Sequence, residues 1–364
     1  MKIAFVIPDF RIGTPTHFYY VYELARAISL RGDVFLIIEK GDAPDFLPKN
    51  KFYLQKFQFL PFRIIENFLA VFYVRLRGYK DFYIHYSFLS ALNASLAVRF
   101  LGGRTFYWNC GLPWLYKRSS LRELFERTVY KMITFLVTGT ESLKKEYSIH
   151  YQIPYEKIRT MPNLVDIGRF SKSRAESASI RKELGIGDKT KVILFAHCLS
   201  RRKGAHYLPE IIRNFKGKDV VFLIAGSGQE QQYIEPEISK EGMRLQVRFL
   251  GWVPNMEIQR YFGAADIFIL PSEEEGFPHV LLEAMAAEVP LVAFDVGGVK
   301  DIVPPTFLKY VVSKGDIMNF SKKAEEIFKL SFEEIYALKN VERDWMHKFD
   351  MSLASNLFSN LLLE

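Results

Sequence analysis

The stretch Pro271-Ser-Glu-Glu-Glu-Gly-Phe-Pro-His-Val-Leu-Leu-Glu-Ala-Met-Ala-Ala-Glu-Val-Pro290 decides how the rest of the chain is read. The apolar run Ile267–Leu270 ahead of it has the length of a buried strand. The chain then turns at Gly276, and a helix is predicted to follow with Pro278 in its first turn. The first N–H groups of a helix lack partners inside it, and the aligned peptide dipoles add positive potential there, so Gly276, Phe277, Pro278, His279 and Val280 form a natural seat for a phosphate oxygen. Two carboxylates bracket that seat. Glu275 precedes the turn, and Glu283 lies one helical turn after His279 on the same face. A carboxylate accepts two hydrogen bonds in a fork, which suits the vicinal hydroxyls of a sugar or ribose. Three successive acids, Glu273 to Glu275, also read as a solvated loop; the strand-turn-helix context favours a site.

Working outward, strands and helices alternate. Val247 to Leu250, Gly251-Trp-Val-Pro254 and a helix over Met256 to Ala264 lead into the motif. Before them, Val220 to Ala225 is a strand ending in Gly226-Ser-Gly228; it fails as a dinucleotide fingerprint because Gln231 stands where the third glycine belongs. Lys191 to Ala196 is a strand followed by the basic loop His197-Cys-Leu-Ser-Arg-Arg-Lys-Gly204. After the motif, the strand Leu291 to Phe294 ends in Asp295-Val-Gly-Gly298, whose glycines would allow a ligand close to the backbone. In the first half, Lys2 to Ile7, a helix over Phe18 to Leu30 and Val34 to Ile38 make a βαβ start, with Gly13 in the loop at the carboxyl end of the first strand. Thr105 to Trp108 and Phe135 to Thr138 are further strands. Pro61 to Arg77, rich in aromatics and carrying Arg63, Arg75 and Arg77, has two readings: an amphipathic helix at a membrane interface, or a sheet-covering helix whose arginine stems snorkel. The buriable run Phe68 to Val74 favours the second.

A chain of 364 residues exceeds one ordinary core and suits two domains. With 49% hydrophobic and 25% charged residues it is a folded chain, not a disordered one. No apolar run approaches the roughly 20 residues of a membrane span, and the start is interrupted too early for a signal peptide. Two cysteines give neither a disulfide framework nor a zinc pattern, so a cytoplasmic protein is expected. The net charge of +8 is uneven: residues 1–170 hold 24 Lys and Arg against 14 Asp and Glu, while the remainder holds 25 against 27. That surplus suggests an anionic partner such as a membrane surface at the inner face or a phospho-linked acceptor; no nucleic-acid motif accompanies it.

The Glu-x7-Glu spacing, with Gly-Phe-Pro after Glu275 and Glu-Ala-Met-Ala from Glu283, resembles the signature of the retaining glycosyltransferases of family four. The resemblance implies a GT-B fold, α/β with two Rossmann-like doubly wound domains facing across a cleft. Residues 1–168 would form the acceptor side, 169–340 the nucleotide-sugar domain, and 341–364 a helix crossing back onto the first domain. It implies that Glu275 contacts the transferred sugar and Glu283 the ribose of a nucleoside-diphosphate sugar, with an acceptor glycan or lipid-linked saccharide. Lys203 matches the family's diphosphate lysine, but Cys198 stands where an arginine is usual, leaving Arg201 or Arg202 as substitutes. Gly226 and Gly228 would line the donor cleft, and Trp252 or Val253 would flank the base. Gly13 is the survivor of a glycine pair. Cys110 stands where the family has a histidine near the donor sugar, with Asn109 before it as a candidate hydrogen-bonder; Leu164 and Glu288 stand where glycines are usual. Asp-x-Asp is absent, so no metal and no cofactor are expected, and the diphosphate would be met by Lys203 and the helix start. With no carboxylate aimed at the far face of the sugar, a front-side retaining displacement is expected over a double one. A non-catalytic nucleotide-sugar binder, or an epimerase or phosphorylase on the same fold, remains the alternative.

Overall fold

The computed structural model describes residues 1–11, 19–173 and 177–363. They divide into two compact units, one of Met1–Asn163 with Met351–Glu364 and one of Leu164–Asp350.

In the first unit the strands are β1 (Lys2–Ile7), β2 (Asp33–Ile38), β3 (Phe52–Leu54), β4 (Asp81–His85), β5 (Arg104–Trp108), β6 (Phe135–Thr138) and β7 (Ile158–Thr160). They pair in parallel in the order β3-β2-β1-β4-β5-β6-β7. Near-continuous apolar strands such as Ile3–Ile7 are buried on both faces, because parallel crossovers put helices on each side. Successive side chains alternate faces. Ala4 and Val6 therefore join one core with Val71, Val74, Ala94 and Val129, from helices Leu60–Leu76, Phe88–Leu101 and Ser120–Met132. Phe5 points the other way, 5.1 Å from Phe358 of the terminal helix Ala354–Leu363. The end of the chain thus packs within the first unit.

The second unit holds β8 (Lys191–Ala196), β9 (Val220–Ala225), β10 (Val247–Gly251), β11 (Ile267–Leu270), β12 (Leu291–Phe294) and β13 (Val311–Val312), parallel in the order β10-β9-β8-β11-β12-β13. In each sheet the order runs outward in both directions from its first strand, so each has a switch point: β1/β4 in one unit, β8/β11 in the other. Both are doubly wound Rossmann-like sheets.

The unit boundaries fall at Asn163/Leu164 and Asp350/Met351, where the sequence places them at 168/169 and 340/341. Two anchors account for the shift. Helices Ile167–Ser171 and Ser177–Glu183 belong to the second unit, with Phe170 and Ile180 buried; Phe170 packs 5.8 Å from Phe262 of the same unit. Helix Phe332–Met346, opened by a capping box of Ser331 and Glu334, stays with the second unit, where Arg343 pairs with Glu288 at 2.7 Å. Glu288 has φ +53°, which explains why a glycine suits this turn. Its ion pair offsets part of that backbone cost.

Candidate functional site

A buried ion pair of the second unit lies at the carboxyl ends of β8 and β11, the two strands that flank its switch point. Lys203, in the loop after β8, donates to both oxygens of Glu275, after β11, at 2.7 Å each. Ser272 Oγ donates to Glu275 Oε1 at 2.8 Å. Lys203 is 6% exposed and Glu275 4%, so this is a buried pair. Burial lowers the Lys203 pKa more than the attraction of Glu275 raises it, with Arg202 adding a smaller downward push. The pair therefore costs the fold something to hold. An ammonium has three donors, and two are turned to the Glu275 fork; the third remains for another acceptor.

Backbone contacts weld the two loops together. Gly204 has φ +72°, and a Cβ there would lie 1.7 Å from the Pro271 carbonyl oxygen. Glu273 N–H donates to the Arg202 carbonyl at 3.0 Å, and Tyr207 OH donates to the Glu273 carboxylate at 2.9 Å. Arg201 and Arg202 themselves are exposed at the mouth of this loop.

His197, the first residue after β8, is the group the sequence reading passed over. Its Nδ1 accepts from the Cys198 N–H at 2.9 Å, so the neutral ring carries its proton on Nε2, which lies 3.6 Å from Glu275 Oε1. Burial, then Lys203 and Arg202, hold its pKa well below the ordinary histidine value, so it is neutral at pH 7. Its place at a strand's carboxyl end beside the switch point was the available signal. Ser272, also passed over, is fully buried beside Glu275.

The helix after the motif runs His279–Ala286, so Pro278 is its N-cap and not a first-turn residue; no side chain caps it. Val280 and Phe277 are buried, and Gly276 is half-buried. Glu283 Oε1 lies 3.3 Å from His279 Nδ1, and His279 Nε2 lies 3.0 Å from the Leu164 carbonyl oxygen. The helix start, Glu283 and the Lys203–Glu275 pair are thus carried by one motif and the loop fastened to it.

The glycines after β9 and β12 lie close against the chain's own backbone. A Cβ on Gly297 would lie 1.6 Å from the Glu275 carbonyl oxygen, and Gly298 N–H donates to the Gly276 carbonyl at 3.1 Å. On Gly226 and Gly228 it would lie 1.9 Å from the His197 oxygen and 2.3 Å from the Leu199 oxygen. These close approaches are to the chain's own backbone, and they set the loops that carry Glu275 and His197. Val253 is half-buried in the loop after β10.

Asn109 and Cys110 lie in the first unit, after β5. Asn109 Oδ1 accepts from the Gly111 N–H at 2.8 Å and its amide nitrogen donates to Tyr130 OH at 3.3 Å, so the side chain closes its own turn. Cys110 is buried, with Sγ 3.8 Å from Thr138 Oγ1, and burial drives its thiol pKa up. It is an enclosed thiol held in its neutral form by burial. Gly13 lies outside the described residues. Among the described residues, no group of three or more His, Cys, Asp or Glu is arranged to hold a metal ion.

Residues 176–342 match the family described as glycosyl transferases group 1. An uncharacterized glycosyltransferase of Methanocaldococcus jannaschii is 34% identical over 46% of this chain and 44% of its own length. A D-inositol 3-phosphate glycosyltransferase of Corynebacterium jeikeium is 31% identical over 49% of this chain and 45% of its own length. The chain spans about half the length of the curated relatives it matches. Anabaena HepE, solved in complex with UDP and glucose, superposes with a TM-score of 0.81 at 18% identity, covering 100% of this chain and 99% of that one. Residues 176–342 are thus similar to the group 1 glycosyl transferases, and they form most of one Rossmann-like unit in a chain with the GT-B fold.

Proposed function

We infer that this chain is a retaining glycosyltransferase that moves a hexosyl group from a nucleoside-diphosphate sugar to an acceptor hydroxyl, without a metal, in glycan, glycolipid or polysaccharide synthesis. The observation that carries this reading is the buried Lys203–Glu275 pair at the switch point of the second unit, fastened to a helix start that carries Glu283. A desolvated ammonium with one donor direction left over, beside a helix N-terminus, is suited to the diphosphate leaving group. The HepE complex with UDP supports a nucleotide at this kind of fold. In the proposed step the bond from the anomeric carbon to the diphosphate oxygen breaks with its electron pair going to the diphosphate. The acceptor oxygen bonds to the same face, and its proton passes to the departing diphosphate oxygen. Glu275 meets the sugar hydroxyls and Glu283 the ribose.

The experiment is a panel of nucleoside-diphosphate sugars, scored for nucleoside diphosphate release and for the anomeric configuration of the product, with and without EDTA. The expected outcome is release from one donor, with retention, unaffected by EDTA. Inversion would overturn the retaining assignment; binding of a donor with no release in the presence of any hydroxyl acceptor would make the chain a binder. The ribose role makes a separate prediction. Glu283→Gln should weaken binding of the free nucleoside diphosphate by about 1–3 kcal/mol, the worth of a charged hydrogen bond, and calorimetric titration of both proteins checks it. Equal affinity in the two would remove Glu283 from the site.

A further inference from the structure

Helix Leu60–Leu76 of the first unit is turned inside out with respect to charge. Its inner face does cover the sheet, as the structural reading of the sequence expects, with Ala70, Val71 and Val74 buried. Its ionic and amide groups point inward too. Arg63 pairs with the buried Glu39 at 2.5 Å, Arg75 Nε donates to the Gly102 carbonyl at 2.6 Å, and Glu66 accepts from the Lys56 and Phe57 N–H groups at 2.9 Å each. The outer face is Phe62, Ile65, Leu69, Tyr73 and Leu76, each 52% to 65% exposed, at helical spacing with no charge among them. A helix at a water interface carries its charges outward, so this face has the wrong polarity for water.

Helices Phe88–Leu101 and Ser120–Met132 bury residues in the same core as Val71, so all three lie on one side of the sheet. The last of them exposes Leu121 (81%) and Leu124 (64%). The stretch of chain that carries these three helices has a basic surplus. Residues 56–132 hold 12 Lys and Arg against 4 Asp and Glu. Every one of the four carboxylates is engaged inside the protein: Glu66 by backbone N–H groups, Asp81 by Arg104, Glu123 by Arg127, and Glu126 by Arg118 and Arg122. Lys56, Lys80, Arg99, Lys117 and Lys131 remain exposed.

We propose that this face of the first unit docks on an anionic lipid surface, with the outer stripe of helix Leu60–Leu76 immersed at the headgroup boundary and the exposed lysines and arginines against lipid phosphates. The apolar stripe gives the insertion and the basic surplus gives the preference for anionic lipid. Among the described residues no helix is long and apolar enough to cross a membrane, so the contact is with a surface and not a span. The inference stands apart from the proposed sugar transfer, which uses residues of the second unit.

The test is sedimentation of the full chain with vesicles of equal parts phosphatidylglycerol and phosphatidylcholine, against vesicles of phosphatidylcholine alone. The parent should bind the anionic vesicles at least tenfold more tightly, and added salt should weaken this binding. Ile65→Ser with Leu69→Ser, both exposed positions, should reduce binding at least tenfold while leaving the melting temperature unchanged. Equal binding to the two vesicle types, or equal binding by parent and variant, overturns the proposal. So does a dimer of the parent, seen by sedimentation velocity, that the double variant abolishes, because a second copy would then be what covers the stripe.

Discussion

Lys203→Ala is expected to destabilise the second unit by about 3–5 kcal/mol, because it strands the Glu275 carboxylate at 4% exposure without its counter-ion. For a unit of this size each kcal/mol moves the melting temperature by about 2–4 °C, so the drop should approach or exceed 10 °C. The same substitution should lower turnover by about 10²- to 10³-fold if the proposed transfer is correct, since a preorganised charge beside a leaving group favours the transition state more than the bound donor. The two effects separate in a cycle. Lys203→Met combined with Glu275→Gln removes both charges and keeps the volumes, so most of the lost stability should return while activity does not. Calorimetry on the two single variants and the double variant, alongside nucleoside diphosphate release, reads both. If the double variant melts as low as Lys203→Ala, the stranded charge is not the source of the loss. Near-parental turnover in Lys203→Ala would move the leaving-group role to Arg201, Arg202 or the helix start.

Much of this arrangement is legible in the sequence because parallel strands buried on both faces must be almost wholly apolar. Ile3–Ile7, Val34–Ile38, Val192–Ala196 and Ile267–Leu270 therefore stand out against any background. Polar residues at the carboxyl ends of such strands are candidate site residues by position; Glu275 is found from the strand-turn-helix context that follows β11, and Lys203 from the resemblance of its loop to the family's. What spacing does not carry is who pairs with whom. The bidentate contact joins residues 72 positions apart, and no local pattern announces it. The glycines show the same limit. Gly297 reads as room for a ligand and meets a carbonyl of the chain itself, as do Gly226 and Gly228, since a missing Cβ signals close approach without naming what approaches. Phe170 lies on the second-unit side of the boundary because its buried ring packs against Phe262, 92 positions away, a contact that no local spacing announces. Helix Leu60–Leu76 hides its outer face for a different reason. Apolar residues occupy most of its circumference, so periodicity cannot say which stripe is buried; the partners of Arg63, Glu66 and Arg75 decide it.

Gly204→Ala should be among the most damaging single-methyl changes available to the second unit, and a second glycine supplies its control. Gly204 has φ +72° and Gly217 has φ +77°, so an alanine at either position meets the same left-handed penalty of about 1–2 kcal/mol. Their surroundings differ completely. A Cβ on Gly217 meets nothing within 4 Å, whereas on Gly204 it lies 1.7 Å from the Pro271 carbonyl oxygen, 2.4 Å from its carbon and 3.2 Å from Ser272 N. All three atoms are backbone and cannot rotate away, so the loop after β8 must lift off the loop after β11. Lifting it breaks the Glu273 N–H to Arg202 carbonyl bond and draws Lys203 away from Glu275. Gly217→Ala should therefore cost about 1–2 kcal/mol and leave nucleotide affinity alone, while Gly204→Ala should cost about 2 kcal/mol more and abolish that affinity. Denaturant melts and nucleoside diphosphate titrations of the two variants decide it: equal costs, or a Gly204→Ala protein that still binds as the parent does, would mean that the two loops move together without losing the site.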